Sequence, residues 1–258
     1  MPPKGSNSVT KTFEMLELLG ESPEGISAAQ AAETTGYPFS TAYRLLGGLV
    51  ESGYASFDAR TKIYTLGMEV FRLAQKVAHR QGLSGATKDL LQELTKSTGE
   101  SSILAIRRGN AALTVLTVDG PQFRTTTDPG DESPLHTSAI GQALLAHDPN
   151  ADVTVEALSL EARTPYSITD PAQMRRKLEQ IRETGWAGQS EENDIGMNAL
   201  AVPVFDLDGR LLASLALAAP VFRRSLDELV ALVPQLTETA ASIAATAAPR
   251  SSPGKSFM

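Results

Sequence analysis

Residues 36–66 constrain the fold more than any other stretch: G-Y-P-F-S-T-A-Y-R-L-L-G-G-L-V-E-S-G-Y-A-S-F-D-A-R-T-K-I-Y-T-L. Gly36 marks a tight turn. Pro38 suits the first turn of a helix, where the amide it lacks would be unpaired anyway. From there to about Ser52, Ala42, Leu45, Leu46 and Leu49 fall on one helical stripe that has to be buried. Ser40, Thr41, Tyr43, Arg44 and Gly47 are thereby turned elsewhere. After Gly53, two short β-prone runs flank the polar turn D-A-R-T, which is the pattern of a hairpin.

Upstream, S-V-T-K-T-F-E-M-L-E-L-L-G reads as a first helix with Val9, Phe13, Leu16 and Leu19 as its apolar face. The turn E-S-P-E-G ends it. Ser27 then caps a short second helix, A-A-Q-A-A-E-T-T, which stops at Gly36. Three short helices followed by a hairpin make a winged helix-turn-helix over residues 8–66, behind a flexible N-terminus of residues 1–7. In that arrangement the polar N-terminal half of the third helix enters the major groove of DNA. Ser40 and Thr41 then bond phosphates or bases, Tyr43 makes a phosphate or an apolar contact, and Arg44 reads a guanine edge or binds phosphate. A solvated helix face is the alternative. Arg60 and Lys62 sit with Thr61 on the wing, where they hold the flanking backbone or are merely solvated.

Charge neither supports nor forbids this. The chain of 258 residues carries 23 Lys and Arg against 30 Asp and Glu, a net −7. Residues 1–80 hold eight of each sign, so the rest of the chain carries the whole excess. A neutral module binds DNA if its bases cluster on the contact face. With no cysteine there is no disulfide or thiolate metal site, and His79, His136 and His147 are too scattered for a metal cluster. No cofactor is expected. No apolar run reaches the ~18 residues of a membrane span, and M-P-P-K-G-S-N-S is unlike a signal peptide, so a cytoplasmic location is expected. Phosphate-loop, dinucleotide and G-x-S-x-G fingerprints are missing. His136 beside Ser138 therefore makes no triad, and Glu191, Glu192 and Asp194 read as a solvated loop run. The chain reads as no enzyme.

Residues 67–82 form an amphipathic linker helix using Met68, Phe71, Leu73 or Ala74, and Val77, a connector or dimerisation element. Beyond it the pattern turns to mixed helix and strand. Helices are expected at 83–98, from Ser138, at 171–184 and from Ser225 to about Ala245. Strands are expected at 102–107, 112–118, 123–127, 199–206 and 211–218, the last two around the hairpin turn D-L-D-G-R. Residues 247–258 read as a disordered tail. The class is α+β.

Three segments, T-G-Y-P-F-S-T-A-Y-R-L-L, P-L-H-T-S-A-I-G-Q-A-L-L-A and G-W-A-G-Q-S-E-E-N-D-I-G-M-N-A-L-A-V-P-V-F-D, occur in this order and spacing. In them the chain resembles the IclR family of bacterial transcriptional regulators, over roughly residues 8–246. The resemblance implies a winged-helix DNA-binding domain, a linker helix and a GAF-like α/β effector-binding domain over 83–246, in a symmetric homodimer or dimer of dimers. It also implies a pseudo-palindromic double-stranded operator and a small organic acid as effector. A repressor of catabolic genes is the expected role, although the family contains activators too. Where a lysine is common in the family this chain has Phe39, which removes a phosphate contact and offers an apolar one to a thymine methyl. The family's effector pocket maps onto Ala139 and Ile140 at a helix start, Gln189 in a loop, Ala199 at a strand start, and Ala216 and Ala218 on the last strand. Five of these six lack a polar side chain, which points to an aromatic or otherwise partly apolar acid, with Gln189, Thr127, Ser138 and helix amides holding its polar end. Alternatively these alanines only pack the core. Two rival functions are a small-molecule-binding protein whose winged helix contacts protein, and an enzyme using the pocket of the second domain.

Overall fold

The computed structural model describes residues 8–80, 85–124 and 127–247, the side chains of Gln75, Ala78, His79, Arg80 and Ala247 excepted. Residues 1–7, the end of the expected linker at 81–82 and the tail at 248–258 lie outside the described residues. The chain divides into two compact units, residues 1–78 and 79–258.

The first unit opens with α1 (Ser8–Gly20), β1 (Ile26–Ser27), α2 (Ala28–Thr35) and α3 (Phe39–Glu51). The hairpin β2 (Ala55–Asp58) and β3 (Ile63–Leu66) follows, then α4 (Met68–Arg80). A capping box fixes the start of α2: the Ser27 hydroxyl accepts the Gln30 backbone amide at 3.3 Å, and the Gln30 side-chain oxygen accepts the Ser27 backbone amide at 3.0 Å. Gly36 ends α2 at φ 71°, a left-handed position that costs a glycine little. Ala42, Leu45, Leu46 and Leu49 of α3 join Met15, Leu19, Ala31 and Tyr64 in one buried cluster. The strands form an antiparallel sheet in the order β1-β3-β2. The apolar face expected on α1 is corrected: Val9 and Phe13 are exposed while Met15 and Leu19 are buried. That helix has apolar residues on two sides, and the unit buries only the side that meets α3.

The second unit runs α5 (Gly85–Thr98), β4 (Ser101–Arg108), β5 (Ala111–Val118), β6 (Glu132–Pro134), α6 (Ala139–Ala146), α7 (Ala151–Ala157) and α8 (Pro171–Thr184). It ends with β7 (Ala187–Ser190), β8 (Met197–Phe205), β9 (Leu211–Pro220), α9 (Leu226–Val230) and α10 (Val233–Ala247). One antiparallel sheet in the order β6-β5-β4-β9-β8-β7 carries α6 on one face and α5 with α10 on the other. The alternation of β9 explains the layering. Leu215 and Leu217 pack into the α5–α10 layer, while Ala216 and Ala218 face α6. β8 repeats it, with Leu200 and Val202 to one side and Ala199 and Ala201 to the other.

Three sequence expectations change here. Residues 123, 124 and 127 form no strand, and 125–126 lie outside the described residues. The edge of β5 is taken instead by β6 and by Asp131, whose carbonyl accepts the Thr114 amide at 2.9 Å. Gln189 lies on β7, paired with Ala199, and not in a loop. The last helix is two, because Pro234 has no amide to continue the first and is accommodated only in the opening turn of α10.

Candidate nucleic-acid interface and effector pocket

The solvent side of α3 keeps the residues that its packing stripe does not use. Phe39 and Tyr43 are each 57% exposed, Ser40 and Arg44 are exposed, and Thr41 is half-buried. The rings of Phe39 and Tyr43, one turn apart, stack with centroids 6.0 Å apart and planes 24° from parallel. Pro38 stands at the N-cap and supplies no side-chain hydrogen bond to the first turn; its carbonyl accepts the Thr41 amide at 2.8 Å. Just upstream the Tyr37 hydroxyl donates to the Glu14 carboxylate, which raises the phenol's pKa, and the Lys11 ammonium lies 4.7 Å from the Tyr37 ring centroid. These contacts seat the turn on α1, and sequence periodicity gives no sign of them.

The hairpin turn is built around Asp58. Its carboxylate accepts the Arg60 amide at 2.8 Å and the Thr61 amide at 3.4 Å, and its carbonyl accepts the Lys62 amide at 2.8 Å. The Arg60 amide first, then Thr61, hold the Asp58 carboxyl below its ordinary pKa. Lys62 takes φ 63°, and its ammonium stands 5.8 Å from the centroid of Phe57. Arg60 and Lys62 are both exposed. The unit thus presents two separate basic and apolar edges, one on α3 and one on the hairpin.

In the second unit a cleft lies between α6 and the alanine face of the sheet. All eight residues expected at the effector site line it: Thr127, Ser138, Ala139, Ile140, Gln189, Ala199, Ala216 and Ala218. Its empty volume, mouth included, is about 520 Å³. The floor follows from register, since Ala199 pairs with Ala218 and Ala201 with Ala216 across β8 and β9. The methyl groups of Ala199, Ala216 and Ala218 stand in the cleft where larger side chains would meet α6. Ile103, Ser133, Asn193, Asp194, Met197 and Asn198 also line the cleft. Sequence reading missed Ser133, Asn193 and Asp194 because they lie on a short edge strand or in the β7–β8 connection, where no period operates.

Two polar residues matched to the pocket are engaged within the protein. The Ser138 hydroxyl donates to the Pro134 carbonyl at 2.6 Å and caps α6 by accepting the Gly141 amide at 3.1 Å. The Gln189 side-chain oxygen accepts the Glu192 backbone amide at 2.8 Å. The Ala139 and Ile140 amides precede the first bond of the helix ladder, from the Gln142 amide to the Ser138 carbonyl. Among the described residues the lining includes one carboxylate, Asp194, which accepts the Asn193 side-chain amide at 2.6 Å and faces Arg163 at 3.7 Å, and no Lys or Arg.

The acidic run beside the cleft is not simply solvated. Glu192 is buried; its carboxylate accepts the Gln142 side-chain amide at 2.7 Å and pairs with Lys177 at 3.4 Å. Hydroxyls of Thr164 and Ser167 hold the Glu191 and Glu192 carbonyls, each at 2.6 Å. This pins the β7–β8 connection to α6 and α8. His136 bonds the Glu161 carbonyl at 2.9 Å, in keeping with a structural role. Trp186 packs into the α5–α10 layer, away from the cleft. Among the described residues no group of three or more His, Asp or Glu is placed to hold a metal ion, and no helix is long and apolar enough to cross a membrane.

Comparison with known proteins agrees with this division. Residues 8–59 match the IclR helix-turn-helix domain and residues 75–245 match the bacterial transcriptional regulator IclR C-terminal domain. The HTH-type transcriptional regulator BhcR of Paracoccus denitrificans is 32% identical over 97% of this chain and 91% of its own. The crystal structure of Thermotoga maritima IclR superposes with a TM-score of 0.77 at 27% identity, covering 94% of this chain and 99% of that one. A double mutant of the PobR transcription factor inducer-binding domain from Acinetobacter, in complex with 3-hydroxybenzoic acid, gives a TM-score of 0.58 at 25% identity over 63% of this chain and 97% of that one. A winged helix-turn-helix followed by this α/β unit, matched along nearly its whole length, places the chain in the IclR family of bacterial transcriptional regulators.

Proposed function

We propose that the protein is a ligand-responsive repressor that binds operator DNA through α3 and the hairpin and senses a small, partly apolar organic acid in the α6 cleft. The alanine floor of the cleft carries the effector reading. Three small side chains of the sheet, Ala199, Ala216 and Ala218, leave a flat apolar surface that fits an aromatic ring, and the PobR domain, which holds 3-hydroxybenzoic acid, shares the fold of this unit. The Ala139 and Ile140 amides at the start of α6 receive the carboxylate. Polar side chains contribute less than residue types alone suggest, because Ser138 and Gln189 already have partners.

On the DNA side, Ser40, Thr41 and Arg44 meet phosphates and base edges, and Arg60 and Lys62 hold the flanking backbone. A homodimer, or a dimer of dimers, places two such faces on a pseudo-palindromic site in the cytoplasm. The exposed apolar residues Val9 and Phe13 of α1 and Met68, Phe71 and Val77 of α4 suit the contact between copies. Residues 67–82 serve as the linker between a DNA-binding domain at 8–66 and an effector domain at 83–246.

A gel shift on the intergenic DNA upstream of the protein's own gene tests the DNA-binding half. The full-length protein retards this DNA, and Arg44→Glu weakens binding by about a hundredfold, since a phosphate or guanine contact is replaced by like-charge repulsion. Equal retardation by wild type and Arg44→Glu contradicts the assignment of α3.

A further inference from the structure

The stacked aromatic pair on α3 has no place in the fold. Phe39 and Tyr43 stay more than half exposed, outside the buried cluster of their unit. Their ring contact is with each other, at an i, i+4 spacing that puts both on one side of the helix. Folding alone gives a sequence no reason to spend two large rings in water at the start of a helix.

We infer that the Phe39–Tyr43 stack is a methyl-reading plate, which recognises the 5-methyl group of thymine in the major groove. This rests on the DNA-binding reading above and adds the base chemistry. The N-terminal residues of a recognition helix are the ones that reach base edges. Ring carbons offer neither donor nor acceptor. Set against the N7 and O6 of guanine or the N7 and N6 of adenine, the plate would strip those groups of water and return nothing. The thymine methyl is the one apolar group in the groove, so the plate both selects thymine and rejects purine edges.

Tyr43 acts here as the support that holds the Phe39 ring in place, and its hydroxyl is not needed. Two stacked rings lose less rotamer freedom on binding than one free ring, which favours a pair over a lone Phe39. Ser40 and Arg44, exposed on the same opening turns, remain free for the phosphates that fix the helix in register.

The test uses the full-length protein and duplexes selected from a random-sequence pool. Selected sites carry thymine at one or two fixed positions in each half-site. Replacing those dT by dU, which removes only the methyl, weakens wild-type binding about fourfold for each methyl covered. Tyr43→Phe keeps this dependence. Phe39→Ala and Tyr43→Ala bind more weakly and no longer distinguish dT from dU. Tight wild-type binding that is equal for dT and dU duplexes overturns the proposal, as does full methyl dependence in Phe39→Ala. If no duplex is selected at all, the DNA-binding reading itself fails, and the two failures are distinguishable.

Discussion

Ala218 shows how one side chain sets the chemistry of the cleft. It faces α6 across from Ala199, and anything larger there occupies the place proposed for a ligand ring. Ala218→Leu weakens binding of a monocyclic aromatic acid at least about tenfold in calorimetry, roughly 1.4 kcal/mol, and leaves DNA binding intact. Unchanged affinity removes Ala218 from the effector site. His147, just past α6, reports on the same unit through pH. Burial first, then the charge of Arg182, keep its pKa below that of an ordinary imidazole, and its Nε2 is buried without a partner. The unfolded chain therefore binds the proton more readily than the folded one. Stability is full above about pH 6.5 and falls as the pH drops below it. Thermal unfolding at pH 7.5 and 5.5 shows this loss, and His147→Gln flattens it. An equal loss in that variant places the titration elsewhere. At this scale the sequence was partly readable. The Leu–Ala alternation of β9 marks Ala216 and Ala218 as one face, and the family motifs locate Ala139 and Gln189. Asp194 and Asn193 were hidden, because a loop residue's orientation depends on bonds such as Thr137 to Asn193 at 2.7 Å that no spacing encodes.

α6 is the element that makes the cleft, and its closeness to β6 depends on Gly141. A Cβ there would meet the Pro134 carbonyl oxygen and come within 2.6 Å of the Leu135 Cα, both backbone atoms that cannot swing away. Gly141→Ala forces the helix off the 134–135 segment at a cost of about 1–3 kcal/mol. Thermal denaturation detects the loss of stability, and calorimetry a loss of effector affinity. A variant as stable as wild type contradicts the close approach. Elements with two marked ends were legible. Asp170 before Pro171 and Gly185 after Thr184 bound α8 at the residues the sequence indicates, as Ser27 and Gly36 do for α2. Elements set by their neighbours were not. β1 is two residues long and exists through its pairing with β3, and the Thr-rich run at 123–127 looks β-prone although β5 pairs elsewhere.

The function proposed for the whole molecule is a coupling between its two units. A ligand alters DNA affinity only as far as it binds one arrangement of the dimer better than another, and such couplings amount to about 1–3 kcal/mol. The linker helix is the route proposed for it, and its apolar residues Met68, Phe71 and Val77 are exposed in the single chain. Fluorescence anisotropy of labelled upstream intergenic DNA, titrated with full-length protein alone and with benzoate or a monohydroxybenzoate at saturation, measures this coupling directly. An acid shown by calorimetry to bind should shift the Kd for DNA by about 5- to 150-fold, and Ala218→Leu should abolish the shift. An acid that fills the cleft and leaves the Kd for DNA unchanged contradicts the account.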